Sequence, residues 1–224
     1  MTEMKKIISF SLWGEDPKYT VGAIRNAELA PKIYPGWTCR YYVGASTPVP
    51  IVAQLETFDH VEVVEMKERG DWRGMFWRFT PASEEDVEIM ISRDTDCRLN
   101  LREKAAVDAW VESDKEFHIM RDHPWHGYPV LGGMWGAKKG CVPHLNDWIN
   151  NFSQRDAYGI DYKFFAEIVL PRLDPERVMI HDEFFTGSPF PTPRNDDEFV
   201  GEVIDETESR VPDHVKALRM ALSL

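Results

Sequence analysis

Residues 87–96 read VEIMISRDTD, an apolar run typical of a buried β-strand that is followed at once by an Asp-x-Asp pair. The two carboxylates, Asp94 and Asp96, supply the hard oxygen ligands that Mg²⁺ and Mn²⁺ prefer, and a metal held there can bind two phosphates. A bare Asp-x-Asp is also typical of an acidic turn, in which Asp96 would cap the helix predicted from Leu101. Ligands of α/β sheets bind at the carboxyl ends of strands, and this placement favours the functional interpretation.

Strand-like and helix-like segments alternate along the rest of the chain. The pattern predicts strands over 7–13, 37–43, 61–66, 117–120 and 178–180 and helices over 19–33, 48–58, 101–111, 145–152 and 162–170, while the aromatic stretch 72–79 is compatible with a further helix. Such alternation predicts an α/β fold with a mixed, mostly parallel sheet and helices on both faces. We expect one domain over 1–224, with an irregular segment from about Gly187.

Composition excludes several classes of function. The chain has 224 residues, with 26 Lys and Arg against 38 Asp and Glu, so its formal charge is −12 and it would repel nucleic acid. Its three cysteines are widely spaced and form no CxxC pair, which favours reduced thiols. No apolar run approaches the roughly 18 to 20 residues of a transmembrane helix, and no secretory signal is recognisable. We therefore expect a cytoplasmic protein with no transmembrane segment.

Four motifs in order resemble the nucleotide-sugar glycosyltransferases of the GT-A fold, especially the small single-domain enzymes of large algal viruses and of bacteria. The resemblance extends over roughly residues 5–185. The motifs are the strand and glycine of residues 7–14, Asp94-Thr95-Asp96, the loop Leu131-Gly132-Gly133-Met134-Trp135-Gly136, and Gly159-Ile160-Asp161. The resemblance implies a GT-A-like (Rossmann-like) sheet and a transferase of hexosyl or deoxyhexosyl groups.

The resemblance also implies roles for individual residues. Asp94 and Asp96 would bind Mn²⁺ or Mg²⁺ on the donor diphosphate, and His181 would be a third metal ligand. The remaining implied donor contacts are Ser11, Leu12 and Trp13 around the nucleotide, Arg78 at the base or phosphates, and Gly132 and Gly133 beside the sugar. Plainer interpretations stay open: Ser11 to Trp13 as core, Arg78 as an ion-paired surface residue, and His181 as a capping or solvated histidine.

Two acids are candidates for catalysis. Asp161 opens a predicted helix after a glycine turn and, as in similar enzymes, would act as general base on the acceptor hydroxyl; the alternative is an N-cap aspartate. Many relatives have Gln or Glu after this acid, whereas Tyr162 follows here. Asp122 lies among His118, His123 and His126 in a loop where Arg121 or Asp122 is expected to hydrogen-bond sugar hydroxyls; the alternative is a structural loop whose polar groups satisfy one another.

Eight tryptophans are many for this length, and indole rings stack on the apolar faces of sugars. Trp72, Trp125 and Trp135 lie in predicted loops near the motifs, and we assign Trp135 to substrate binding.

The sequence thus predicts a metal-dependent glycosyltransferase that uses a nucleotide diphosphate sugar, with a UDP-sugar favoured, and a glycan acceptor. A nucleotidyltransferase has the same kind of sheet and acidic motif, but it usually has a basic Gly-rich loop after its first strand, where this chain has Gly14-Glu15-Asp16. A non-catalytic nucleotide- or sugar-binding protein of the same fold is the other alternative.

Overall fold

A computed structural model describes residues 4–153 and 157–223 of the chain. Within these residues, seven strands form one sheet in the order β3-β2-β1-β4-β6-β5-β7. The strands are β1 (Lys5–Leu12), β2 (Thr38–Val43), β3 (Val61–Glu65), β4 (Val87–Ser92), β5 (Phe117–Arg121), β6 (Trp135–Lys138) and β7 (Val178–Asp182). The α-helices are α1 (Pro17–Ile33), α2 (Val49–Leu55), α3 (Leu101–Glu112), α4 (Leu145–Asn151), α5 (Ile160–Phe164) and α6 (Pro212–Leu222). A long 3-10 helix covers Trp72–Ser83, a π-helix over Phe165–Val169 continues α5, and two short 3-10 helices cover Leu170–Arg172 and Pro175–Arg177.

The sheet is mixed and mostly parallel, as predicted. Strands β1 to β4 pair in parallel and β5 pairs in parallel with β7, while β6 runs antiparallel between β4 and β5. Because β6 is antiparallel to both of its neighbours, β4 and β5 point the same way. Their carboxyl ends therefore lie on one edge of the sheet.

Alternating side chains of β1 pack into two separate cores. Ile8, Phe10 and Leu12 face the side covered by α1, α2 and α3, whereas Ile7 faces the side covered by the 3-10 helix, α4 and α5. This period of two is the expected pattern of a strand whose faces are both covered. Helices therefore cover both faces, which confirms the predicted fold class.

The short strand β6 was not predicted. Its glycine-flanked sequence was interpreted as a ligand loop, but Trp135 pairs with β4 and β5 and is fully buried, its ring stacked on Phe117 at 5.2 Å between centroids. Substrate binding by Trp135 is thus corrected, because the residue belongs to the core.

The segment from Gly187 also differs from the expectation, since it contains α6. This helix buries only Leu218 and leaves Met220 exposed, yet Val211, Val215, Leu218 and Leu222 recur at helical spacing, so the helix could have been predicted. No helix within the described ranges is long and apolar enough to cross a membrane.

Candidate functional site

A cavity of about 580 Å³ opens at the carboxyl ends of β1 and β4. Its walls come from the loops after β1, β4 and β5, the 3-10 helix, the start of α5 and the segment from Phe199 to His214. The sequence-predicted site residues that line it are Ser11, Leu12, Trp13, Arg78, Asp94, Asp96, Gly132 and Asp161. The fold thus brings eight of the predicted residues, from five separate stretches of chain, to one place.

Arg78 is the buried cation of this cavity. The 3-10 helix places it there, and its backbone N–H donates to Ser11 Oγ at 3.1 Å. Its guanidinium pairs with the Asp94 carboxylate and donates to the Arg93 carbonyl at 3.2 Å, and the residue is 5% exposed. The prediction that Arg78 is an ion-paired surface residue is therefore wrong about its location, since the ion pair lies in the cavity wall.

Asp161 lies against the same arginine. Burial raises the pKa of its carboxyl and the negative charge of Asp94 raises it further, while Arg78 opposes both effects. Its Oδ1 atom is buried and has no hydrogen-bond partner among the described residues. Gly159, with φ of +72°, is the N-cap of α5, so Asp161 is in the first turn and does not cap the helix.

Two glycines make room for these carboxylates. A Cβ atom on Gly132 would overlap the Asp161 carboxylate and lie 2.8 Å from Arg78 Nη2, and a Cβ on Gly133 would overlap the carboxylate of Asp94. Neither glycine has a positive φ, so it is close approach, rather than backbone conformation, that requires glycine here. Gly133 does not line the cavity itself but supports Asp94 from behind.

Asp96 is held from two sides. Lys18, in the first turn of α1, places Nζ 3.1 Å from its Oδ2 atom, and the Asp96 carbonyl accepts the Ile204 N–H at 2.8 Å. Burial raises the pKa of Asp96, as does Asp94, and Lys18 opposes the rise. The helix-capping interpretation of Asp96 is wrong, because Asn100 caps α3 by accepting the N–H of Glu103.

The first strand supplies the opposite wall. Leu12 is 1% exposed and packs in the core, so the core interpretation holds for most of its side chain. Trp13 lies under Gly70 and Gly74, where added Cβ atoms would crowd its ring, and it meets Trp77 edge-on at 6.1 Å between centroids. An indole fixed in this way presents an aromatic wall to the cavity.

His181 is not brought to the carboxylates, which corrects its expected position. It lies in β7, three strands from β4, which corresponds to roughly 14 Å at a strand spacing of about 4.8 Å. Its Nδ1 atom lies 2.8 Å from Nε2 of buried His118, and it does not line the cavity. The sequence order of strands gave no indication of this separation.

Asp122 does not lie where the predicted hydrogen bonding to sugar hydroxyls would require it. Its carboxylate is fully buried, paired with Arg102 at 2.9 Å and Arg194 at 2.6 Å, and it accepts the N–H of Val200. With both oxygens engaged by these donors, Asp122 fastens the C-terminal segment to β5 and does not contact the cavity.

Three histidines line the far wall, and one of them, His214 of α6, was missed by the sequence analysis. His126 Nδ1 accepts the N–H of Asp122 and His123 Nδ1 accepts that of Trp125, so both rings carry their hydrogen on Nε2 when neutral. Burial lowers the pKa of all three, to about 3 for His126. These rings are therefore neutral groups near neutral pH.

A divalent cation fits this cavity if the two carboxylates and the phosphates of a substrate bind it together. Among the described residues, no three Asp, Glu, His or Cys side chains are grouped to hold a metal. Asp94 and Asp96 nevertheless both face the cavity. Mg²⁺ is commonly bound through one or two carboxylates together with waters and substrate phosphates, and this pair fits that pattern.

Comparisons with known proteins identify the fold. No protein-family model and no curated protein matches the chain. Among solved structures, a glycosyltransferase involved in the glycosylation of the major capsid of PBCV-1 is similar with a TM-score of 0.54 and 18% identity, covering 80% of this chain and 81% of that one. The mannosyltransferase PcManGT from Pyrobaculum calidifontis, in complex with GDP-Man and Mn²⁺, gives 0.52 and 13%, covering 80% of this chain and 57% of its own.

A third similar structure is a 4-diphosphocytidyl-2C-methyl-D-erythritol synthase from Anaerococcus prevotii, with a TM-score of 0.55 and 9% identity over 100% of both chains. Identities this low establish a shared fold and nothing finer. GT-A-type glycosyltransferases are among the proteins that share it, which confirms the fold predicted from the motifs.

Proposed function

We infer that this chain, which shares its fold with two glycosyltransferases, moves a sugar from a nucleotide diphosphate donor to a hydroxyl group of a glycan. One observation supports this above the others. Arg78, Asp94 and Asp161 pack together at the strand ends. Gly132 and Gly133 leave the space that the carboxylates of Asp161 and Asp94 occupy. A site of this kind can hold a diphosphate and a sugar hydroxyl side by side.

The donor would lie along the wall made by Ser11, Leu12 and Trp13. An aromatic ring such as Trp13 offers a stacking face to a nucleobase, and Arg78 offers a planar donor to the diphosphate. Asp94 and Asp96 would hold Mn²⁺ or Mg²⁺, which neutralises charge on the departing diphosphate. His181 has no part in this site, because it lies at the sheet edge beside His118.

Asp161 is the base in this proposal. A buried carboxylate with a free oxygen can accept the proton of an acceptor hydroxyl while that oxygen attacks the sugar carbon. Its raised pKa makes it a better proton acceptor than an ordinary aspartate once it is ionised. Arg78 keeps the ionised form accessible by its positive charge.

Nucleotidyl transfer is the second candidate, because the synthase from Anaerococcus prevotii matches the chain over its whole length. Lys18 adds to this alternative, since it places a cation after β1, beside Asp96. Direct product analysis separates the two reactions. A nucleoside diphosphate is released by sugar transfer, whereas pyrophosphate is released when a nucleoside triphosphate is joined to a sugar phosphate.

The test is calorimetric titration of UDP-, GDP- and dTDP-sugars with and without Mn²⁺, followed by product analysis with glycan acceptors. We expect Asp96→Asn to abolish most Mn²⁺-dependent donor binding without unfolding the chain. Asp114→Asn, whose side chain is 86% exposed, is the matched control. Unchanged donor affinity in Asp96→Asn would contradict the metal role. In a parallel assay with nucleoside triphosphates and sugar 1-phosphates, release of pyrophosphate would indicate nucleotidyl transfer instead of glycosyl transfer.

A further inference from the structure

Exposed aromatic rings are concentrated at the cavity. Among the described residues, the aromatic side chains with large exposure are Tyr19, Trp72, Trp125, Tyr128, Tyr158 and Phe185, and all but Phe185 line this cavity. Scattered exposed rings are ordinary, but a group around one cavity marks a binding surface.

Four of the lining rings form what we call the aromatic mouth: Trp72, Tyr128, Tyr158 and Tyr162. Tyr128 and Tyr162 are stacked, with centroids 4.3 Å apart and planes 27° apart. Trp72 meets Tyr158 edge-on, with centroids 5.3 Å apart. Tyr158 is 77% exposed and Tyr128 is 53% exposed, so both pairs have faces open to solvent.

Two residues of the mouth adjoin Asp161. Tyr158 and Tyr162 flank this acid along the chain at the start of α5, and the charge of Asp161 raises the pKa of the Tyr162 hydroxyl in addition to the larger effect of burial. Asp161 itself is 3% exposed but is among the residues that line the cavity, and its buried Oδ1 atom has no hydrogen-bond partner among the described residues. A molecule held on the mouth therefore lies beside the acid proposed as the base.

The charges of the site restrict what the mouth can hold. All four rings are neutral, and the nearest lining acids are Asp94, Asp96 and Asp161. An acidic sugar would meet these carboxylates in a chain whose formal charge is −12. Among the described residues that line the cavity, Arg78 is the single Lys or Arg, and it is already paired with Asp94. An uncharged ring with apolar C–H faces and hydroxyl edges suits both the aromatic faces and the free carboxylate oxygen.

We propose that the aromatic mouth is the acceptor subsite and that its stacked pair, Tyr128 and Tyr162, binds an uncharged pyranose of the acceptor glycan. This inference rests on the proposed glycosyl transfer. The nucleobase belongs instead to the wall around Trp13, on the β1 side of the cavity, so the two ligands use different aromatic surfaces.

The test measures acceptor and donor binding separately. Methyl glycosides of glucose, galactose and mannose are titrated into the protein and followed by saturation-transfer NMR without donor, with methyl glucuronide as the charged comparison. We expect Tyr128→Ala to weaken binding of the neutral glycosides and to raise acceptor KM about 10-fold, corresponding to one lost stacking contact. Tyr128→Phe, which keeps the ring, should bind as wild type does.

Phe185→Ala is the matched control, since this ring is 43% exposed but lies outside the cavity. Donor affinity by calorimetry should be the same in all variants. Loss of donor affinity in Tyr128→Ala would assign the ring to the nucleobase and overturn the inference, as would unchanged acceptor binding or a preference for methyl glucuronide. Failure of the proposed glycosyl transfer gives a different result from failure of this inference. Neither wild type nor any variant would then turn over a nucleotide sugar, but the glycoside titrations would still show whether the mouth binds a neutral sugar.

Discussion

Asp161→Asn distinguishes a role of Asp161 as general base from a purely structural role more sharply than any other single change. Asparagine has the shape of aspartate but cannot take a proton. Loss of a general base costs roughly 10² to 10⁴ in rate. At about 1.4 kcal/mol per factor of ten, that range is about 3 to 5 kcal/mol of transition-state stabilisation.

The same substitution should not destabilise the protein. Burial raises the pKa of Asp161, so folding disfavours its charged form, and Oδ1 has no partner whose loss would cost stability. A carboxyl whose folded-state pKa is raised contributes stability below its unfolded pKa and loses that contribution as the pH rises through the folded value. The free energy of unfolding of Asp161→Asn should therefore rise relative to wild type between acidic and neutral pH.

The assay is single-turnover sugar transfer at saturating donor, combined with urea unfolding at several pH values. Asp147→Asn is the matched control, because Asp147 occupies the first turn of α4 but its side chain is 76% exposed. Turnover of Asp161→Asn within about threefold of wild type, with normal donor affinity, would refute the role as base. A stability difference that falls with rising pH would refute the electrostatic reasoning.

Two further predictions concern the charges around the cavity. Lys18→Met removes the cation 3.1 Å from Asp96, so without metal the variant should lose about 1 kcal/mol of stability. In thermal unfolding, Mn²⁺ should raise the melting temperature of the variant more than that of wild type, because the ammonium group no longer competes with the metal. Equal increases in melting temperature would contradict this competition. Asp122→Asn leaves Arg102 and Arg194 without their buried carboxylate, and urea unfolding should show a loss of about 3 kcal/mol, whereas a loss below about 1 kcal/mol would mean that the pairing is not structural.

Local patterns were sufficient to predict most of the sheet. Strand β4 was predicted over its observed bounds, Val87–Ser92, because its apolar run is bounded by charges and ends in the acidic motif. The carboxyl-end rule then placed Asp94 and Asp96 at the cavity. Gly132 and Asp161 were found through the resemblance of their motifs, and the structure explains that likeness by the close approach of their atoms.

The wrong assignments of site residues all depended on distant pairing. Trp135 reads as a loop residue until β4 and β5 are known to pair on both sides of it. His181 follows a strand, as a ligand would, but only the strand order shows that β7 is at the edge. Asp122 is adjacent in sequence to cavity histidines, yet partners 20 and 72 residues away bury it. No local periodicity contains such information.

The hydrogen bond from Ile204 to the Asp96 carbonyl joins segments that are made at different times. A ribosome releases residues 87–97 before residues 203–214, and a domain generally folds as a unit. All the strands described here precede Ile204 in the sequence, but the turn that contains Asp96 gains this partner, and the cavity gains the wall that holds His214, only from residues 203–214. Completion of the site therefore depends on a stretch that is translated after every strand described here.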